Sequence, residues 1–429
     1  MGRSCRVSSV AHLKLLMPLM LFVGISEGSP LDYERFGSRW KVLAVNLEKV
    51  SGDAYPPTLS KLEGMEAEGY LVVLSASKTK GIAEVAVASK ALEDLTKIQA
   101  DGLMTFDLLS NSLGKTLDLE KRDAGENLPR ASVTFTSYMN FSQMSNYLEG
   151  LPAQYPQRIR VDKSGRSFEN RTIYRVRMTN NITDTVEKKV VFVDGGIHAR
   201  EWISPAAALY VIETLIANTG LTETIEWQIM PMLNPDGYDY TWSKDRLWRK
   251  NRSKSPSSTC YGVDLNRNFG FQWGGLGTSS SPCSDVYKGT SAFSEPESGA
   301  LRDAMLPLKG KVKAYITFHS FGQTILYPWG YSTQVKHPLT ATMNTVAKAM
   351  AAQIKKTTLA VYSVGNSAVV YYPAAGASDD WAAYAMNITY SYTIELRDKG
   401  VYGFTLPASQ ILPTVRDAWE AVKILATLV

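Results

Sequence analysis

A chain of 429 residues exceeds what a single hydrophobic core usually organises, about 250 to 300 residues, so more than one domain is expected. Its formal charge of +5, from 46 Lys and Arg against 41 Asp and Glu, is modest for that length. It gives no reason to invoke nucleic acid or a membrane surface as a partner.

The first 28 residues read as a secretory signal peptide. Arg3, Arg6 and Lys14 precede the apolar stretch Leu15–Ile25, and Ser26-Glu-Gly28 offers small residues for cleavage. That stretch is shorter than the roughly 20 residues of a membrane span, and no later segment is long and apolar enough either. A secreted, soluble, extracellular protein is expected.

A small globule follows. Trp40–Val45 reads as a strand, Thr58–Glu66 as a helix, Gly69–Leu74 and Ile82–Val87 as strands, Lys90–Gln99 as a helix and Met104–Asp107 as a last strand. This is the split βαβ order of a ferredoxin-like α+β unit. The unit holds no histidine or cysteine, which makes it poor material for catalysis. A composition change at Leu117–Glu126 marks its end and contains the basic pair Lys121-Arg122. In a secreted chain such a pair suggests a pro-segment removed by a trypsin-like or dibasic-cleaving protease; the alternative is an ordinary charged linker.

From Ser132 on, strands alternate with helices. Candidate strands are Thr172–Met178, Val190–Val193, Glu226–Met230, Lys313–Phe318 and Ser391–Leu396; candidate helices are Asn140–Leu148, Ser204–Asn218, Glu295–Pro307, Thr340–Lys355, Asp379–Met386 and Leu412–Thr427. The alternation predicts an α/β fold, a mixed and mostly parallel sheet flanked by helices. Of three cysteines, Cys5 leaves with the signal. An oxidising compartment then favours a Cys260–Cys283 disulfide over two reduced thiols. Asn140, Asn170, Asn181, Asn251 and Asn387 each begin a glycosylation sequon.

Candidate chemistry centres on Val190-Val-Phe-Val-Asp-Gly-Gly-Ile-His-Ala-Arg-Glu-Trp202. The apolar β-branched run is a buried strand, the glycines end it, and Ser204 and Pro205 read as cap and first residue of the next helix. His198 and Glu201 therefore sit at the carboxyl end of a strand, the edge where open α/β sheets place ligands. Alone, the pair is a weak signal and reads more readily as a polar turn with a solvated carboxylate. His12 leaves with the signal and His337 looks like a loop residue, but His319 follows the strand-like Val312–Phe318 and so occupies the same kind of place as His198. Two imidazoles and a carboxylate with one position open is the pattern of catalytic zinc. Glu395 stands alone in the apolar run Tyr390–Leu396; its alternatives are a general base beside the metal and an ion pair with Arg397 or Lys399. Asn266-Arg267 suits a carboxylate, and Arg249 could polarise a carbonyl, although charged runs are usually solvated faces.

His198-Ala-Arg-Glu201, Asn234-Pro-Asp-Gly237, Arg246-Leu-Trp-Arg-Lys250, Gly262–Asn268, His319-Ser320, Ser378-Asp-Asp-Trp381, Glu395-Leu-Arg-Asp398 and Leu406–Gln410 resemble, in the same order, motifs of the zinc metallocarboxypeptidases of the pancreatic A/B type. The resemblance implies one zinc on His198, Glu201 and His319, Glu395 as general base and Arg249 on the scissile carbonyl. It implies Asn266 and Arg267 on the substrate's terminal carboxylate, Tyr372 as the tyrosine that closes over substrate, and contacts from Arg200 and Ser320. It further implies that residues 29–122 are an inhibitory pro-domain released by cleavage after Arg122, and that 123–429 form the catalytic domain.

Pocket specificity falls on Asp379, which aligns with the family's pocket floor and predicts a preference for carboxyl-terminal Lys or Arg, with Ser367 leaving room for a long side chain. Asp379 also reads as part of a helix cap. Phe321, where the family commonly has tyrosine, and Ala377, where B-type members commonly have glycine, are departures that bear on substrate range. The expectation is a monomeric zymogen acting on peptides or proteins with a free carboxyl terminus. Its rivals are an A-type preference for apolar ends and a non-catalytic binding protein of the same fold.

Overall fold

The computed structural model describes residues 40–100, 102, 104–110, 113 and 132–429; the expected signal peptide and the Lys121-Arg122 pair lie outside them. The small amino-terminal globule runs β1 (Lys41–Asn46), α1 (Pro57–Ala67), β2 (Leu71–Ser77), β3 (Ile82–Val87), α2 (Ser89–Ala100) and β4 (Phe106–Ser110). Its sheet has the order β2-β3-β1-β4 with antiparallel pairing throughout, the split βαβ layout expected. Leu43, Val45, Leu59, Leu62, Val85 and Leu95 fill its core.

The larger region runs α3 (Phe141–Gln154), β5 (Ile159–Arg166), β6 (Thr172–Met178), β7 (Lys189–Asp194), α4 (Ile203–Ala217), β8 (Ile225–Met230), α5 (Pro235–Ser243), α6 (Pro296–Met305), β9 (Val312–Ser320), β10 (Thr324–Tyr327), α7 (Thr340–Thr358), β11 (Ser363–Asn366), α8 (Ser367–Val370), α9 (Ser378–Ala385), β12 (Tyr390–Leu396) and α10 (Ile411–Ala426). Its eight-stranded sheet has the order β11-β10-β12-β9-β7-β8-β6-β5. The four central strands β12, β9, β7 and β8 are mutually parallel, and antiparallel strands flank them. Parallel strands covered on both faces must be apolar on both. In β7, Val191 and Val193 pack into one core and Val190 and Phe192 into the other.

The helices follow from their apolar spacing. In α10, Ile411, Val415, Ala418, Val422 and Leu425 recur at three- and four-residue steps and are fully buried. Each of its large apolar side chains contributes about 1.5 to 3 kcal/mol on burial. A charge at Ala418 would enter that stripe unpaired. Asn140, where helix α3 is expected to begin, is its N-cap, forming a reciprocal capping box with Gln143, and the helix runs on past Leu148 with Pro152 inside it.

Two details differ from expectation. Helix α4 starts at Ile203, and Ser204 does not cap it: its buried hydroxyl donates to Phe318 O at 2.6 Å and accepts from Gly196 N at 2.8 Å. The serine ties the turn after β7 to β9 instead. Asn251 is fully buried and donates to Glu295 and Glu297, so the folded chain hides that sequon, whereas Asn170, Asn181 and Asn387 are exposed. Cys260 and Cys283 form the expected disulfide. Among the described residues no helix is long and apolar enough to cross a membrane.

Candidate metal centre and substrate cavity

The turn after β7 is glycine for a steric reason. Gly196 has φ +68°, and a Cβ there would lie 2.8 Å from Met232 Sδ. The turn is held by Leu233 N to Gly195 O and Asn234 N to Gly196 O, both 3.0 Å, while Asn234 Nδ2 donates to Ile197 O and Lys250 O. That is the local work of the Asn-Pro-Asp-Gly motif, and it brings Arg249 alongside His198.

His198, Glu201 and His319 form a buried group whose potential ligand atoms all lie within 4.8 Å of one another. Glu201 Oε1 is 2.8 Å from His198 Nδ1 and its Oε2 is 3.2 Å from His319 Nδ1; the two Nδ1 atoms are 3.1 Å apart. Each ring has its outer nitrogen engaged: His198 Nε2 lies 3.1 Å from Asp264 Oδ1, and His319 Nε2 lies 3.2 Å from Thr317 Oγ1. The two Nδ1 atoms are thereby left clustered with the Glu201 carboxylate. This donor set, two imidazoles and one carboxylate with room for a fourth group, fits zinc.

The electrostatics agree with a cation site. Burial would raise Glu201, but His198 and His319 outweigh it and hold the carboxyl well below its usual range. Burial lowers His198, assisted by Arg249; for His319 the adjoining Glu201 overcomes burial and pushes the ring up to about 9. Asp264 lies far below its ordinary value despite burial, because Arg249, Arg267 and His198 surround it. Arg249 donates to Asp264 Oδ2 from Nε at 3.1 Å and Nη2 at 2.9 Å, and its Nη1 stands 3.9 Å from Glu201 Oε1.

Glu395 is brought in by strand register. It lies directly opposite His319 in the parallel β12–β9 pair. Burial pushes its carboxyl up to about 8 against the opposing effect of His319. One of the two alternative partners, Arg397, is engaged elsewhere, binding Asp417 through Nε and Nη2.

A cavity of about 240 Å³ is walled by the three ligand candidates, Glu395, Arg249, Arg200, Asn266 and Arg267, and also by Ser320, Tyr372, Ser367 and Asp379. Arg267 is braced by Nε to Gly277 O and Nη1 to Asn266 O, both 2.9 Å. Asn266 uses its amide oxygen to accept from Ser378 N, leaving its NH2 as the donor a carboxylate requires. Gly376, with φ +75°, packs against Arg267 so closely that a Cβ would come within 2.5 Å of its carbonyl oxygen. Asp379 is the second residue of α9. Its carboxylate accepts from Thr393 Oγ1 and Asp380 N at 3.0 Å and also lines the cavity, so it serves its helix's first turn and the pocket at once.

The amino-terminal globule supplies part of the same cavity wall through Tyr55, Glu63, Glu66 and Val73. Val73 O accepts from Arg200 Nη2 at 3.2 Å, and the Tyr55 ring meets Tyr372 edge-on at 5.5 Å. Asp53 accepts from Ser332 Oγ at 2.7 Å and Thr333 Oγ1 at 2.6 Å. Phe321, the residue that departs from tyrosine, is buried with Leu247 and Phe404 against Trp40 and Val42 of the globule. Its missing hydroxyl leaves no polar gap there.

Sequence reasoning assigned nothing to Asp264, Thr317, Asp194 or Tyr371. Asp194 carried a usable signal, the one that singled out Glu395: a lone acid in an apolar strand. Tyr371 has its hydroxyl 2.3 Å from where a Cβ on Gly322 would lie, a point also 3.4 Å from Glu395 Cβ, so Gly322 is required for that tyrosine to enter the site.

Residues 144–421 match the family described as zinc carboxypeptidase. Carboxypeptidase B of Astacus astacus is 40% identical over 300 residues, covering 69% of this chain and 98% of that protein. Carboxypeptidase B of Bos taurus is 38% identical over 303 residues, covering 69% and 72%. Among solved structures, thrombin activatable fibrinolysis inhibitor is similar with a TM-score of 0.80 at 32% identity, covering 91% of this chain and 99% of that one. Carboxypeptidase A from Helicoverpa armigera is similar with a TM-score of 0.81 at 31% identity, covering 91% and 97%.

Proposed function

The chain belongs to the zinc carboxypeptidase family, and we propose that it is a secreted zymogen that, once activated, removes Lys or Arg from the carboxyl termini of peptides. The proposed organisation is a signal peptide at 1–28, a pro-domain at 29–122 cut after Arg122 by a trypsin-like protease, and a catalytic domain at 123–429. The observation that carries the B-type preference is Asp379, a buried carboxylate in the wall of the cavity that also holds His198, Glu201 and His319. A buried anion lacking a cationic partner is costly, and a basic substrate side chain supplies one. The pro-domain assignment is supported by Tyr55, Glu63 and Val73 standing in that same cavity.

His198, Glu201 and His319 would hold zinc, which when bound supplies Lewis-acid polarisation of a carbonyl and acidification of water. Arg267 and the Asn266 amide anchor the substrate's terminal carboxylate and thereby select exopeptidase cleavage. Glu395 takes a proton from the attacking water and delivers it to the leaving amine. Arg249, held by Asp264 beside the ligands, faces the negative charge that develops on the carbonyl oxygen. Tyr372 closes the cavity over the bound end, with Arg200 and Ser320 touching residues further along the peptide.

Trypsin-treated protein is expected to release the terminal residue from an Arg-ended peptide far faster than from a Phe-ended one, and a zinc chelator should stop both. A reversed preference would establish the A-type alternative. Chelator-insensitive inertness toward every peptide would favour a non-catalytic binding protein.

A further inference from the structure

The two ligand imidazoles are supported differently. His198 meets a carboxylate directly, through Nε2 to Asp264 at 3.1 Å. His319 meets one through an intermediary: its Nε2 lies 3.2 Å from Thr317 Oγ1, and that hydroxyl donates to Asp194 Oδ1 at 2.7 Å. A threonine hydroxyl has one proton. Since Asp194 takes it, the oxygen must accept from His319 Nε2–H; in the neutral ring that a metal requires, this leaves Nδ1 without a proton and 3.2 Å from Glu201.

The backbone explains why these groups meet. Tyr315, Thr317 and His319 are alternate residues of β9 and share one face of the sheet. Asp194 is the last residue of β7 and stands directly opposite Thr317 in the parallel register. Tyr315 donates its hydroxyl to the other Asp194 oxygen, so the carboxylate is clamped by two hydroxyls from the same strand. All four groups are buried, with Asp194 and Thr317 fully so, and no water can substitute for a lost partner without a cavity forming.

We infer that Thr317 and Asp194 are positioning residues for the metal: the Asp194–Thr317–His319 chain sets the tautomer and ring orientation of His319 and so the affinity of the zinc site. This rests on zinc being held by His198, Glu201 and His319. Neither residue touches substrate, and their effect is exerted through the imidazole. A role confined to joining β7 and β9 would change the melting temperature but not the metal.

The test uses the full chain and measures the zinc dissociation constant by competition with a chelator of known affinity, where the metal-free protein is folded. Outer-sphere partners of a ligating histidine typically change metal affinity by about 10- to 100-fold, and that loss is expected for Thr317→Val. Thr317→Ser keeps the hydroxyl and should bind zinc as the parent does. The visible absorption of the cobalt-substituted protein should shift in T317V and return in T317S. His319→Ala is the control: if it binds zinc as tightly as the parent, the ligand set is wrong and the inference falls with it. If H319A loses zinc while T317V keeps parental affinity and cobalt spectrum, the ligand set stands and the inference alone is overturned. If T317V does not fold, Asp194→Asn decides, since it preserves shape while removing the charge; weakened zinc binding supports the chain, and parental binding refutes it.

Discussion

Replacing Asp379 by Asn removes one charge from the cavity with almost no change of shape. In the parent, burial raises Asp379 and raises the adjoining Asp380 further, because two neighbouring buried carboxyls resist double ionisation. Asp380 is satisfied by Gly330 N and Tyr331 N at 2.8 to 3.0 Å, whereas Asp379 accepts from Thr393 and Asp380 N and keeps capacity for a further donor. A cationic side chain docking about 4 Å away gains on the order of 4 kcal/mol at an effective dielectric of about 20. Removing one partner of a buried pair costs a similar amount, about 3 to 5 kcal/mol. At about 1.36 kcal/mol per tenfold, D379N should lower kcat/KM for an Arg-ended peptide by about 10³. A Phe-ended peptide, which brings no charge, should lose little or improve. The assay is steady-state release from the two peptides by trypsin-treated parent and variant. An equal loss on both peptides would mean that Asp379 only supports α9, and no loss on either would remove it from the pocket.

Glu395→Gln should lower turnover by about 10² to 10⁴, the usual range for a general base, while zinc content stays at one per chain by metal analysis; retained turnover would refute the role. Asp53→Ala removes the carboxylate that grips Ser332 and Thr333, a loss of about 1.5 kcal/mol or more for hydrogen bonds to a charged group. The uncut protein should then show about tenfold more activity on an Arg-ended peptide, and unchanged activity would show that this contact does not hold the globule in place. Burial pushes Glu297 up to about 7 from an ordinary 4.5, with Phe168 N and Asn251 opposing the shift. Its folded-state pKa is raised, so its contribution is fully present below pH 4.5 and is lost as pH rises through 7, a change of about 3 kcal/mol. Urea midpoints should therefore fall between pH 5 and pH 8 by more in the parent than in Glu297→Gln, and equal pH slopes would show that Glu297 does not control this range.

Local pattern carried most of the fold. The runs Thr172–Met178 and Ile82–Val87 fall on strands with the bounds expected from alternation and β-branching, and the apolar stripe of α10 is legible residue by residue. What escaped had little local signal. β10 and β11 have four residues each, too few for a period to declare itself, and β5 is a polar edge strand whose alternation is blurred by Lys163, Ser164 and Gly165. Helix α5 begins with Pro-Asp-Gly, which reads as a turn until Asn234 is seen capping it.

The chain's own order of residues was enough to nominate the candidate machinery: which histidines and acids exist, that they lie in or just after apolar strands, and that their motifs run in a zinc carboxypeptidase's order. Only the tertiary structure decided how they are oriented. Glu395 faces His319, and Asp194 faces Thr317, through the parallel register of β12, β9 and β7, which is set by how both cores pack and not by any single strand. Asp264 reaches both His198 and Arg249 for the same kind of reason: a buried charge takes its partners from whatever the completed fold brings within hydrogen-bond distance.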